Sequence, residues 1–175
     1  MKSLKLIIFI LVLGLVGSII VLSQKKGVKM QIFSSAFENG ETIPSKYSCD
    51  GDNVGPPLTF ANVPETTKSL ALIVDDPDAP SGTWIHWLIW NIDPKTTTLA
   101  ENSVPAGAVQ GTASSGQAKY GGPCPPSGEH RYFFKLYALD SRLNLISSAR
   151  IEELEAAIKG HVLTQAQIMG RYGRE

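Results

Sequence analysis

The stretch Asp75–Ile92, DDPDAPSGTWIHWLIWNI, constrains the fold more than any other part of the chain. Its first half is an acidic turn in which Pro77 and Pro80 fix φ and push the preceding residues toward extended backbone. Its second half, Ile85–Ile92, has strand composition and one ionisable residue, His86, among apolar or neutral neighbours. A rigid acidic loop feeding a buried strand with one histidine predicts a site at the strand's mouth. A second proline-rich loop, GGPCPPSGE, leads in the same way into HRYFFKLYAL from His130. Leu70–Val74, just before the acidic turn, is a short apolar run bounded by polar residues, the pattern of a central strand buried on both faces. Alternation predicts that His86, Leu88, Trp90 and Ile92 share one face of their strand. It likewise places His130, Tyr132, Phe134, Leu136 and Ala138 together on theirs.

The remaining segments fill in a mainly β domain. MQIFSSAF, from Met30, reads as an edge strand, and ENGETIPSKYSCDGDNVGPPLTF as a long ordered loop rich in turn residues. Ala100–Glu129 has no periodic apolar segment and is rich in glycine and proline; loops of that length are usually functional or disordered. Ser147 or Ser148 can cap a helix over Ala149–Lys159, with Ile151, Leu154 and Ile158 as its apolar stripe and Gly160 as its stop. Ala166–Tyr172 closes the chain as a short strand. One or two helices near the C-terminus are therefore expected.

Charge is uneven along the 175 residues. Of 16 basic side chains, five are lysines within residues 1–29, where there is no acid; residues 30–175 keep 11 against 16 acidic ones, a net of −5. An acidic domain is a poor partner for nucleic acid, whose binding rests on phosphate neutralisation. The lysine-flanked run Leu6–Leu22 is 17 residues without a charge, between the length of a secretory signal and that of a spanning helix. The chain therefore divides into an N-terminal anchor or signal peptide with a short linker (1–29) and a single domain (30–175). The expectation is a membrane-anchored protein, held through residues 6–22 as a transmembrane signal anchor, with its domain outside the cytoplasm. Secretion, or periplasmic release after cleavage, is the alternative. Cys49 and Cys124 would then be either a disulfide or two buried free thiols. With two cysteines and three histidines, no zinc spacing is present, and neither a structural metal nor a cofactor is expected.

DPDAP, the WIHW strand and GPCPPSGEHRY, in that order, resemble the phosphatidylethanolamine-binding protein family, specifically its bacterial and archaeal Raf-kinase-inhibitor-like branch. The likeness extends over nearly all of residues 30–175, including YSCDG around Cys49, LYALD ending at Asp140, and AIKGHVL near His161. It implies a large central β-sheet with a smaller sheet packed on it and helices on the other side. It also implies a small anion pocket for phosphate, a phosphorylated head group or a carboxylate. Carried onto this chain, the pocket would be built from Asp76, His86, Gly122, Pro123, His130 and Tyr132, with Asp78 and Pro80 shaping its wall. Three departures from the eukaryotic pattern are present: Trp84-Ile85-His86 in place of paired histidines, an inserted Cys-Pro-Pro turn, and a different C-terminal segment. Kinase control through that segment is therefore not carried over.

These residue types suit oxyanion binding. Imidazoles can donate to phosphate oxygens, a carboxylate can set a histidine tautomer, and a tyrosine adds a hydroxyl donor. His130 and Tyr132 stand two apart, on one side of their strand. Bland readings stand beside these: histidines bonded to backbone, Asp76 and Asp78 as loop-capping residues, Trp84 and Trp87 as packing, and His161 as structural. Cys124, six residues before His130, allows a Cys–His hydrolase. Flanking prolines deny Cys124 the helix N-terminus that would activate it, and no nucleophile elbow is present. The expectation is a non-catalytic binding module for a small anionic ligand, such as a phospholipid head group. The alternative is a protein-level inhibitor of a protease or kinase, and a homodimer is left open.

Overall fold

The computed structural model describes residues 28–174. Eight strands and one helix follow in the order β1 (Gln31–Ser34), β2 (Leu58–Ala61), β3 (Ser69–Asp76), β4 (Trp84–Ile92), β5 (Thr98–Leu99), β6 (Val109–Gln110), β7 (Gly128–Leu139), α1 (Ile151–Ile158) and β8 (Val162–Arg174). A short 3₁₀ turn, Ser45–Tyr47, precedes β2. The strands form a large sheet in the order β6-β4-β3-β7-β8 and a small one in the order β1-β2-β5. All pairings between these strands are antiparallel.

The apolar run Leu70–Val74 lies in β3, at the centre of the large sheet, and every residue of that strand is buried. Its two faces serve two cores. Leu70, Leu72 and Val74 pack between the sheets with Ile32, Phe60 and Phe134. Ala71 and Ile73 pack on the opposite face with Trp90, Leu139 and the helix residues Leu154 and Ile158. The sheet is thus covered on both sides, which is why Leu70–Val74 is a continuous apolar run rather than an alternation.

Two β-bulges change the facing predicted for β4. Val74 pairs with Trp87 while Asp75 pairs with Ile85, so one extra residue stands on β4 at His86. A second irregularity lies between the pairs Leu70–Ile92 and Leu72–Ile89, where Asn91 has a φ of 57°. Leu88 and Trp90 consequently join the helix-side core, whereas Trp87, Ile89 and Ile92 join the inter-sheet core. His86 is therefore turned away from the face it would share with Leu88 and Trp90 in a regular strand.

The helix starts two residues later than expected and is not capped by either serine. The Glu153 carboxylate instead accepts the Arg150 backbone N–H at 2.7 Å. Gly160, at a φ of 84°, ends the helical segment as expected. The final strand is longer than the seven residues read from sequence, pairing with β7 from Leu139 back to Gly128. Leu58–Ala61, read as the end of a loop, is a strand of the small sheet.

The expectation of a membrane-anchored protein is corrected. Among the described residues no helix is long and apolar enough to cross a membrane. The one helix described, eight residues long, reaches only about 12 Å at ~1.5 Å per residue, against roughly 30 Å of hydrocarbon. The run Leu6–Leu22, on which the anchor and signal readings rested, lies outside the described residues.

Candidate binding site

Antiparallel pairing brings the end of β3 and the beginnings of β4 and β7 together at one end of the large sheet. Asp76 is paired with Trp84, and Asp75 with Phe133. Asp76, His86 and His130, up to 54 residues apart in the chain, thereby line one cavity of about 420 Å³. Pro80 and Gly122 line it as well. Ala79, Trp84, Pro125 and Pro126 give its lining an apolar part beside Ser81 and Ser115, and the two cysteines line it as well.

Each histidine is held through Nδ1. His86 Nδ1 lies 2.6 Å from the Gly121 carbonyl, and because that oxygen can only accept, Nδ1 is the donor. Gly121 N–H donates back to the His86 carbonyl at 3.0 Å, so the glycine loop and the bulged residue grip each other. His130 Nδ1 lies 2.7 Å from Asp76 Oδ2, while Asp76 Oδ1 accepts the Asp78 backbone N–H at 2.8 Å. One carboxylate therefore sets a histidine tautomer and closes the acidic turn that sequence identifies as rigid.

Two polar atoms are left over. His86 Nε2 and Tyr132 Oη are buried and have no hydrogen-bond partner. The Tyr132 ring meets His86 edge-on, with centroids 5.2 Å apart, and lies roughly parallel to His130 at 6.5 Å. Its hydroxyl faces the Cys124 backbone without forming a proper hydrogen bond. A buried polar group left unpaired costs on the order of 1–3 kcal/mol, so these two atoms, on rings in contact with each other, stand out as candidate ligand contacts. Burial pushes the His86 imidazole below its ordinary value, against the opposing hydrogen bond from its ring to Gly121. Burial, and after it the Asp76 charge, pushes the Tyr132 phenol up, so it remains a donor through the neutral range.

Of the other expected residues, Pro123, Asp78 and Tyr132 are not among those lining the cavity, and Gly122 lines it. Pro123 accepts the Cys49 N–H through its carbonyl at 3.0 Å, one residue from the disulfide that joins Cys124 to Cys49. Together these pin the glycine-proline loop to the Ser48–Asn53 turn. Gly122 is needed for that contact, because a Cβ would come within 2.2 Å of the Tyr47 carbonyl oxygen. Its amide is committed to Asn53 Oδ1 at 2.6 Å, so it supports the wall instead of meeting a ligand. Asp78 is turned to Arg131, which it binds through Nε at 2.8 Å and Nη2 at 2.6 Å. That guanidinium holds the Asp78 carboxyl down to about 2.

Sequence reading missed Asn53, whose side chain closes the Gly122 turn and lines the cavity, and Gly121, whose carbonyl orients His86. Asn53 sits in a Gly-Asp-Asn turn at a φ of 55°, a conformation asparagine tolerates, but nothing in its spacing points to residue 122. Of the two tryptophans read as packing, Trp87 is buried and donates its indole N–H to Gln110 Oε1 at 2.7 Å, whereas Trp84 lines the cavity. His161 pairs at the surface with Asp140, 2.7 Å away, and is not among the residues lining the cavity. The Cys–His hydrolase reading loses its nucleophile, since Cys124 is bonded to Cys49. Among the described residues no group of three or more His, Cys, Asp or Glu side chains could hold a metal ion.

This fold agrees with what known proteins show. The chain belongs to the phosphatidylethanolamine-binding protein family, whose model matches residues 33–173. A UPF0098 protein of Methanothermobacter thermautotrophicus is 52% identical over 150 residues, covering 83% of this chain and 99% of that relative. The crystal structure of a phosphatidylethanolamine-binding protein homologue from Chlamydia trachomatis is 44% identical and superposes with a TM-score of 0.81, over 84% of this chain and 99% of that one. Escherichia coli YbcL, described as a new member of the mammalian family, is 33% identical with a TM-score of 0.80, over 85% of this chain and all of YbcL. Family membership makes this a protein of the binding type.

Proposed function

We propose that residues 30–175 form a non-catalytic binding domain whose cavity takes a small oxyanion: phosphate, a phosphorylated head group or a carboxylate. The observation that carries this reading is His86 Nε2, buried and partnerless on a residue that lines the cavity with Asp76 and His130, with the partnerless Tyr132 hydroxyl on the ring packed edge-on against it. An oxyanion brings acceptor oxygens for the tyrosine hydroxyl and, once a proton is shared, for an imidazole N–H as well. The apolar side chains of Trp84, Pro125 and Pro126 in the lining suit a ligand whose charged end is small and whose remaining part is not.

Calorimetric titration of the full chain with phosphoethanolamine and with inorganic phosphate, beside a folded His130→Ala variant, tests the proposal. Saturable binding that the variant loses supports it. If the native protein binds neither, the cavity is a structural remnant and the proposal fails.

A further inference from the structure

β8 is the last strand of the large sheet, so one side of its backbone has no partner strand. From Met169 onward that outer side is taken by residues 39–43. Met169 accepts from the Gly40 N–H at 2.7 Å, Arg171 donates to the Glu41 carbonyl at 2.9 Å, and Arg171 accepts from the Ile43 N–H at 2.7 Å. Backbone groups of alternate strand residues point the same way, so the N–H and C=O of Gln165 and Gln167 also face outward. Among the described residues nothing pairs with them. The run from Val162 to Gly170, VLTQAQIMG, has neither charge nor proline, two devices by which exposed edges are commonly blunted.

A cleft flanks this edge on each face of the sheet. On the inter-sheet side, one of about 520 Å³ lies between β1 and β8, with Ile32, Phe33, Phe37 and Ile168 in its lining, and Phe33 is 44% exposed. On the helix side, one of about 400 Å³ is lined by Lys135, Tyr137, Gln165 and Gln167, which pair across the strands as Lys135–Gln167 and Tyr137–Gln165. Asp75 matches the Lys135 charge, so the groups left to a visitor there are neutral amides and a phenol.

We propose that this edge accepts an extended peptide segment of another protein as an added strand, in which large apolar residues alternate with neutral hydrogen-bonding ones. Its backbone pairs with Gln165 and Gln167, its apolar side chains enter the cleft at Phe33, and its polar side chains meet Tyr137 and the two glutamines. Successive side chains of a strand point to opposite faces, so only an alternating segment serves both clefts. A second copy paired edge to edge would bring only Thr164 and Ala166 of its own β8 to the apolar side, too little to fill about 520 Å³. Two copies of a domain with a net charge of −5 also repel each other.

The test uses the full chain and a fluorescein-labelled peptide with a core of about seven alternating leucine and threonine residues, between lysine pairs that keep it soluble. Fluorescence anisotropy measures affinity, and hydrogen exchange reads the Gln165 and Gln167 amides. Binding is expected to slow exchange of both amides, and to weaken at least about tenfold when the core amides of the peptide are N-methylated. Gln165→Pro is expected to cause the same loss, because it removes an outward N–H and leaves the pairing with β7 intact. Circular dichroism checks its folding, and where this variant fails to fold the methylated peptide decides. Binding that survives methylation, or that leaves both amides exchanging as in the free chain, overturns the proposal. So does the absence of saturable binding at about 1 mM peptide. Protection of both amides in the free chain, with a dimer mass in sedimentation, gives the edge to a second copy and equally overturns it.

Discussion

Tyr132 carries a hydroxyl that the folded chain buries and leaves without a hydrogen-bond partner. A structural tyrosine would be expected to satisfy that group, so stability and binding should respond in opposite directions when it is removed. Tyr132→Phe is expected to leave stability unchanged or raise it by up to about 1 kcal/mol, because an unpaired polar atom disappears. The same change is expected to weaken oxyanion affinity by about tenfold, and parallel denaturant and calorimetric titrations would show both. A large loss of stability with unchanged binding would place the hydroxyl in the scaffold. Gly122 offers the converse case. Gly122→Ala is expected to cost about 3 kcal/mol, since its Cβ would meet backbone atoms of Tyr47 and Ser48 that cannot swing aside. Gly121→Ala, whose Cβ would meet nothing closer than the His86 carbonyl at 4.0 Å, is the control and should be close to neutral. At this scale the residues were legible: the sequence already singles out Asp76, His86 and His130, which the fold brings to one cavity. Which of their atoms stay free was not, because that depends on partners such as Gly121 and Asn53 supplied from elsewhere in the chain.

At the scale of elements, the acidic turn between β3 and β4 is rigid for two reasons, of which sequence displays only one. Pro77 and Pro80 restrict its backbone, and Asp78 fastens it to β7 through Arg131 and the Arg131 backbone N–H. This second fastening is sensitive to acid. The Asp78 carboxyl is held down to about 2, below its ordinary value near 3.9, so its contribution is present above the ordinary value and is lost as pH falls through about 2. Arg131→Ala is therefore expected to return the Asp78 ionisation to the ordinary carboxylate range in a nuclear magnetic resonance titration. The stability difference between native protein and variant should shrink between about pH 4 and about pH 2. An unmoved Asp78 titration would show that the guanidinium is not its governing partner. The β4 bulge shows where periodicity fails. Strict alternation assigns His86 to the face of Leu88 and Trp90, but one inserted residue turns it toward Tyr132. A bulge is a property of two strands in register, and so it has no signature within β4 alone.

Across the whole molecule, the Cys49–Cys124 disulfide closes a separation of 75 residues and ties the loop before β7 to the turn before β2. Restricting so long a loop stabilises the fold chiefly by limiting the unfolded chain. Replacing both cysteines with serine is expected to cost about 2–4 kcal/mol in denaturant unfolding and to weaken anion binding, because the loop carrying Gly121 also orients His86. A cost well under 1 kcal/mol would mean that the Cys49–Pro123 backbone bond and the Gly122 contact suffice to hold the loop. The family, the mainly β class, the doubly buried β3 and the helix near the C-terminus were determined by the sequence itself. Apolar runs, proline-bounded turns and ordered motifs are local properties, readable wherever they occur. The small sheet's inner strand, the joining of two cysteines, the re-aimed His86 and the unpartnered Tyr132 hydroxyl were decided only by the tertiary structure. Each depends on which distant atoms the folded chain brings within hydrogen-bonding or packing distance, and no short stretch of sequence contains both partners.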